Sequence, residues 1–157
     1  FSNDVHHEIE VVVKINRIGK HIQEQFAHKY YQEIGLGIDF TARDLQQALK
    51  SKGLPWEKAK AFDGATALGN WFDKSQFEDL NKLHFELRKN GQVVQKGTTA
   101  QMLWSIDALI AYVSQFFTLK IGDILFTGTP SGVGPVVEND RLEAFLEGHP
   151  ALQLNVK

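Results

Sequence analysis

The sequence predicts an α+β fold: a mixed α/β protein built on a β-sheet, with a few flanking helices, and not a doubly wound one. Strand-like runs outnumber helical ones, and most read as antiparallel. Asn90-Gly91 lies between two such runs, the strongest short-range sign of a hairpin. The clearest helix is a single segment in which Met102, Ile106, Leu109, Ile110, Val113 and Phe117 recur at helical spacing.

Taken in order, Ile9 to Ile18 is rich in Val and Ile and alternates in part, with Glu8 and Glu10 on one face and Ile9 on the other, so a strand is predicted. Gln23 to Tyr31 predicts a short helix. Glu33 to Phe40 reads as a second strand, weakened by Gly35 and Gly37, since glycine inside a strand marks a bulge or a close backbone approach. Thr41-Ala42-Arg43-Asp44 matches a capping box and predicts a helix to about Lys52, ended by Gly53 and Pro55. Lys60 to Ser75 shows little periodicity and is predicted as loop. Leu83 to Arg88 and Gln92 to Lys96 form the arms of the hairpin. Thr98-Thr99-Ala100-Gln101 is a second capping box, predicted to open the long helix, and Gly122 closes that region. A short strand, Ile124 to Thr127, runs into a glycine-rich segment ending at Pro135. Leu142 to Leu146 and Leu152 to Val156 predict two last strands, with Glu147 to Pro150 as their turn.

The chain has 157 residues, the size of one domain spanning 1–157, with no internal repeat or low-complexity linker. Seventeen Lys and Arg against 19 Asp and Glu give a net charge of -2, with a pI near 6.3, which argues against a nucleic-acid partner. The lack of cysteine excludes disulfides, thiolate zinc sites, iron–sulfur clusters and cysteine nucleophiles, and fits a cytoplasmic location. The most apolar long window, Met102 to Phe117, is interrupted by Ser105, Asp107, Ser114 and Gln115, whereas a bilayer crossing needs about 20 mostly apolar residues. No membrane partner is expected.

Several residues could carry chemistry. Glu8 and Glu10, two apart on a strand, project from one face and could reach one hard cation. Two solvated glutamates would look the same: at about 4 Å and an effective dielectric near 20 the charges repel by about 4 kcal/mol, which splayed side chains avoid. Asp39, at a strand end before a helix, would make a third carboxylate suited to magnesium or manganese, or is simply a turn aspartate. His6 and His7 point to opposite strand faces and read as structural. Lys60 could stabilise an enolate or hold a substrate carboxylate, and Arg43 could grip a carboxylate with two prongs; both are also ordinary surface residues by composition. Thr127 to Gly134 lacks the Gly-Lys-Ser/Thr of a P-loop, and Val137 breaks a GxGxxG pattern. What remains is a glycine-rich turn whose free backbone N–H groups could receive a small anion.

Four motifs then occur in order: His7-Glu8-Ile9-Glu10, Ile38 to Gln46 (IDFTARDLQ), Leu54 to Asp63 (LPWEKAKAFD) and Leu125 to Pro135 (LFTGTPSGVGP). Together they resemble the fumarylacetoacetate hydrolase family, in particular its short single-domain branch of acylpyruvases and oxaloacetate tautomerases or decarboxylases. The resemblance implies a mixed β-sheet roll, typically a homodimer. It implies a divalent cation, usually magnesium with manganese or calcium as substitutes, on Glu8, Glu10 and Asp39. Lys60 matches the active-site lysine, Arg43 and Gln46 match polar residues near the substrate, and Thr129 matches the threonine that binds the substrate carboxylate. The implied substrate is a small 2-keto or 2,4-diketo acid. The expected reaction is hydrolysis of an acylpyruvate to pyruvate and a carboxylic acid, through an enolate stabilised by the cation and Lys60. The same enolate would serve an oxaloacetate decarboxylase or keto–enol tautomerase, which is the alternative. The family also carries an N-terminal lid with a His–Glu pair. His21 and Glu24 are the right sort of pair but follow the metal strand, so the role is not carried to them. The 157 residues are therefore expected to lack the lid and to bind a cation and a 2-keto acid with severely reduced turnover, in the limit as a catalytically silent binding protein.

Overall fold

The computed structural model describes residues 1–157. In chain order the first strands are β1 (Val5–His7), β2 (Ile9–Ile15), β3 (Tyr31–Asp39), β4 (Thr41–Ala42) and β5 (Thr66–Asp73). They are followed by β6 (His84–Lys89), β7 (Gln92–Thr98), β8 (Ile124–Phe126), β9 (Gly134–Pro135), β10 (Arg141–Leu146) and β11 (His149–Asn155). The helices are α1 (Glu24–Ala27), α2 (Arg43–Lys50) and α3 (Ile106–Phe116). None is long and apolar enough to cross a membrane.

The strands make three antiparallel sheets, ordered β5-β3-β2-β8, β11-β10-β6-β7 and β4-β1-β9, which with the helices is the expected α+β class. The core fills the space between the two four-stranded sheets. Ile9, Val11, Val13 and Ile15 of β2 and Ile34, Leu36 and Ile38 of β3 project from one face into a cluster shared with Leu87, Leu142 and Leu146 of the other sheet. Each such aliphatic side chain, fully removed from water, contributes about 1.5–3 kcal/mol. The opposite face of β2 carries Glu10 and Val12, also buried. There Gly37 lies opposite Glu10, and a Cβ on it would come within 2.8 Å of the Phe126 ring, so glycine lets β8 pack close to the strand pair.

The hairpin forms as predicted. Asn90 and Gly91 have φ of 53° and 82°, a two-residue turn of the primed kind, with Lys89 paired to Gln92. The last hairpin turns more tightly than expected, on Glu147 and Gly148 alone. Pro150 then lies inside β11, tolerated because β11 is an edge strand and bulged there.

Four expectations are corrected. Lys60 to Ser75 is not all loop, since β5 pairs along β3; it is an edge strand, half exposed, so burial never imposed an apolar stripe on it. The helix at Gln23 to Tyr31 shrinks to Glu24–Ala27, because Tyr31 pairs with Ile15 as the first residue of β3. Thr41 does not cap α2. It pairs with His6 in β1, its hydroxyl donates to the Asp39 carbonyl, and Asp44 accepts from Ser2 and Asn3 instead. Thr98 caps only a 3-10 turn, Thr99–Gln101. Thr99 ties that turn to Leu80 and Leu83, Met102 is extended, and α3 starts afresh with the Ser105 hydroxyl accepting from Ala108 N–H at 3.1 Å.

Candidate active site

The pairing of β2 with β3 builds the site. Ile9 lies opposite Ile38 and Glu10 opposite Gly37, so Glu8 faces Asp39, whose N–H donates to the Glu8 carbonyl at 2.9 Å. Glu8, Glu10 and Asp39 therefore share one face of the strand pair. One carboxylate oxygen from each lies within 4.8 Å of the others.

Two cations close on this cluster. Lys60 follows the 3-10 turn Glu57–Ala59, and its ammonium bridges Glu8 Oε2 at 2.7 Å and Asp39 Oδ2 at 2.5 Å. Arg43, the first residue of α2, donates through Nη2 to Glu8 Oε1 and through Nη1 to Gln46 Oε1 at 2.6 Å. Gln46 is buried one helical turn further on and holds the guanidinium from behind. Glu10 receives neither cation. Its one polar partner is the Gly128 N–H, which donates to Oε2 at 2.5 Å.

The electrostatics follow from this division. Burial pushes the Glu10 carboxyl up to about 7; the Gly128 N–H opposes this, and Asp39 adds repulsion. Burial also acts on Glu8, but hydrogen bonds from Lys60 and Arg43 outweigh it and hold Glu8 below the usual carboxylate range. At Asp39 burial wins over Lys60, and the carboxyl is raised. Burial would favour neutral Lys60, yet Asp39 and Glu8 raise its pKa above the ordinary lysine value, so it stays an ammonium. Three convergent carboxylates, one of them buried without a cation, fit a hard divalent ion whose remaining coordination is water.

The glycine-rich loop enters from the other side. The Thr127 hydroxyl donates to the Val11 carbonyl at 2.9 Å, and the Thr129 hydroxyl donates to the Ile9 carbonyl at 2.8 Å. Gly128 turns between them at a φ of 102°, open to glycine, which aims its N–H at Glu10. The same loop floors a cleft of about 620 Å³ with Met102, Trp104 and Tyr112 on its apolar wall.

All seven sequence-predicted site residues thus converge on one end of the β2–β3 pair: Glu8, Asp39, Lys60, Arg43 and Gln46 in one hydrogen-bonded cluster, Glu10 beside it with a carboxylate oxygen within 4.8 Å of those of Glu8 and Asp39, and Thr129 beside Ile9. His6 bonds Asp4 and His7 bonds Gln95, and neither joins the carboxylates. The backbone of His21 bonds Ser114 near α3, and its ring makes no bond to the cluster. Sequence reasoning missed Gln95, which is 1% exposed and bonds both β2 and the loop. Nothing local marks it, because its partner Ile9 lies 86 positions away.

An antiparallel roll presenting three carboxylates, a lysine and a glycine-rich loop at one strand end defines a family of proteins. Residues 1–157 match the fumarylacetoacetate (FAA) hydrolase C-terminal family, and the chain belongs to it. It is 40% identical over 157 residues to "Oxaloacetate tautomerase FAHD1, mitochondrial" of Mus musculus, covering 100% of this chain and 71% of that protein. It is 43% identical over 146 residues to "Oxaloacetate tautomerase YcgM" of Escherichia coli K12, covering 92% and 67%. Among solved structures, fumarylpyruvate hydrolase from Pseudomonas aeruginosa in complex with Mn2+ and pyruvate superposes with a TM-score of 0.92 at 34% identity, covering 99% of this chain and 66% of that one.

Proposed function

We propose that this protein is a divalent-cation-dependent enzyme that tautomerises or decarboxylates a small 2-keto dicarboxylic acid of the oxaloacetate type through its enolate. The observation that carries the reading is the Lys60 ammonium bridging Glu8 and Asp39 at the centre of the carboxylate cluster. The oxaloacetate tautomerase names of the mouse and bacterial relatives support this alternative over acylpyruvate hydrolysis.

Glu8, Glu10 and Asp39 would hold the cation, magnesium by preference with manganese or calcium as substitutes. When bound, the cation supplies Lewis-acid polarisation of the keto oxygen. Lys60, held as an ammonium by Glu8 and Asp39, would stabilise negative charge developing on the enolate oxygen. Arg43, its planar head fixed by Glu8 and Gln46, offers its remaining N–H groups to a substrate carboxylate. The glycine-rich loop around Thr129 receives the other end of the acid. A homodimer is the proposed assembly, read out by sedimentation.

The test is oxaloacetate with magnesium and then with a chelator. Cation-dependent loss of the enol absorbance, or release of carbon dioxide and pyruvate, is the expected result. No effect on either would overturn the reading. The Pseudomonas relative, a fumarylpyruvate hydrolase, favours a second reading in which a 2,4-diketo acid is cleaved. Acetylpyruvate converted to acetate and pyruvate would establish that one. Oxalate bound with magnesium and no substrate turned over would mean a binding protein.

A further inference from the structure

β8 pairs with β2 only along Val12 to Lys14, so the backbone of Ile9, between the two glutamates, has no strand on that side. Side chains take the strand's place. Ile9 N–H donates to Gln95 Oε1 at 3.1 Å, and the Ile9 carbonyl accepts from the Thr129 hydroxyl at 2.8 Å. Gln95 Nε2 in turn donates to Thr129 Oγ1 at 2.9 Å and to the Pro130 carbonyl at 3.1 Å, while Oε1 also faces His7 Nδ1 at 2.8 Å.

The end groups assign every proton in this chain of bonds. Ile9 N–H can only donate, so the amide oxygen of Gln95 faces it. The Pro130 carbonyl can only accept, so the amide nitrogen faces that side. His7 must then carry its proton on Nδ1. The Thr129 hydroxyl must accept from Gln95, and its single proton must go to the Ile9 carbonyl. A lone pair is all the hydroxyl has left, and a lone pair repels a carboxylate. By contrast, the main-chain N–H of Thr129 has no partner within the protein.

We propose that Gln95 is a positioning residue that commits the Thr129 hydroxyl to the backbone of β2, so that the keto-acid carboxylate is received by main-chain N–H groups of the loop, Thr129's among them, and not by the threonine hydroxyl. The proposal rests on the keto-acid reading above. It gives the site a rigid anion seat: one buried amide fixes both the strand that spreads Glu8 and Glu10 and the loop that faces them.

Gln95→Glu keeps the acceptor for Ile9 and His7 but removes both donors to the loop. Oxalate affinity in the presence of magnesium should fall about tenfold or more, as expected for severed buried hydrogen bonds, while affinity for magnesium alone stays within about twofold. Thr129→Val should cost a similar factor, Thr129→Ser should restore binding, and the double variant Gln95→Glu/Thr129→Val should be no worse than the weaker single. Additive losses, or a loss in Thr129→Val with none in Gln95→Glu, would mean that the hydroxyl binds the anion itself and would overturn the proposal. So would a parallel fall in magnesium affinity. If the buried carboxylate prevents folding, Gln95→Met, uncharged, removes the acceptor for Ile9 and His7 together with both donors, and the same fall in oxalate affinity is expected of it. Nitrogen NMR of histidine-labelled wild-type chain needs no variant: His7 protonated on Nδ1 supports the assignment, and on Nε2 overturns it. Failure of the wild-type chain to bind oxalate with magnesium would overturn the keto-acid reading and this proposal with it, whereas wild-type binding with unimpaired variants would overturn this proposal alone.

Discussion

Asp39 stands directly opposite Glu8 across the β2–β3 pair, its N–H bonded to the Glu8 carbonyl at 2.9 Å, and Lys60 joins their two carboxylates. Backbone pairing thus brings two negative side chains together, and one ammonium offsets their repulsion. Glu10, further along the same face, is left with a single backbone N–H. This unequal sharing of positive charge sets the behaviour expected of each group.

Glu10→Gln removes a charge that is buried without a cation. The metal-free variant should melt no lower than the wild type, and its stabilisation by magnesium should shrink. A wild-type chain at about a hundredfold excess of magnesium over its dissociation constant gains about 2.7 kcal/mol, and melting curves with and without the cation measure the difference. A variant stabilised as strongly as the wild type, and fully active at limiting magnesium, would show that Glu10 is no ligand.

Lys60→Ala should lower turnover about a hundredfold, the scale of losing one preorganised electrostatic group. Magnesium affinity should be kept, because the three carboxylates remain. The metal-free variant should also lose about 1–3 kcal/mol, since Glu8 and Asp39 are left facing each other in a partly buried site. Joint loss of rate and magnesium binding, read by steady-state kinetics and calorimetry, would make the lysine structural.

A pH dependence follows from Glu10, whose carboxyl is raised from 4.5 to about 7 by burial. The folded chain takes up a proton there that the unfolded chain does not. Without cation, the Glu10 contribution to stability is fully present below about 4.5 and is lost as pH rises through about 7. Asp39, also raised, acts in the same direction, and Glu8, lowered, acts against it. A cation competes with the Glu10 proton. The rise in melting temperature caused by magnesium should therefore grow as pH increases through about 7, and a rise that is flat across that range would contradict the burial argument.

Gly37→Ala places a Cβ within 2.8 Å of the Phe126 ring, opposite Glu10. Overpacking of this kind costs about 1–3 kcal/mol. Relief by pushing β8 outward would also move the loop that follows it. Chemical denaturation should show the lost stability, and oxalate binding should weaken with it. An alanine variant as stable as the wild type would mean that the ring moves aside freely.

Much of the fold was legible locally. The strand predicted from Ile9 and the left-handed Asn90-Gly91 turn are set by neighbouring residues; the turn formed where the pattern placed it, and the strand formed but ends at Ile15, not Ile18. The edge strand β5 and the short β1, β4 and β9 were not legible, because half-exposed or two-residue strands carry no burial pattern of their own. The capping boxes at Thr41 and Thr98 matched in spacing, but the Thr41 hydroxyl turns to the Asp39 carbonyl and Thr98 caps only a 3-10 turn, not the long helix.

The same division holds at the site. From sequence alone, Glu8 and Glu10 share a strand face, because a side-chain period of two is a property of any extended chain. The composition, the glycine-rich turn and the order of the four motifs belong to the sequence as well. Tertiary structure decided that Asp39 falls opposite Glu8, that Lys60 bridges them, and that Gln95 clamps Ile9 to Thr129. Register is the physical reason: a slip of one residue would turn Asp39 to the other face of its strand, and what holds it in place is the summed burial of Ile34, Leu36 and Ile38 against a second sheet.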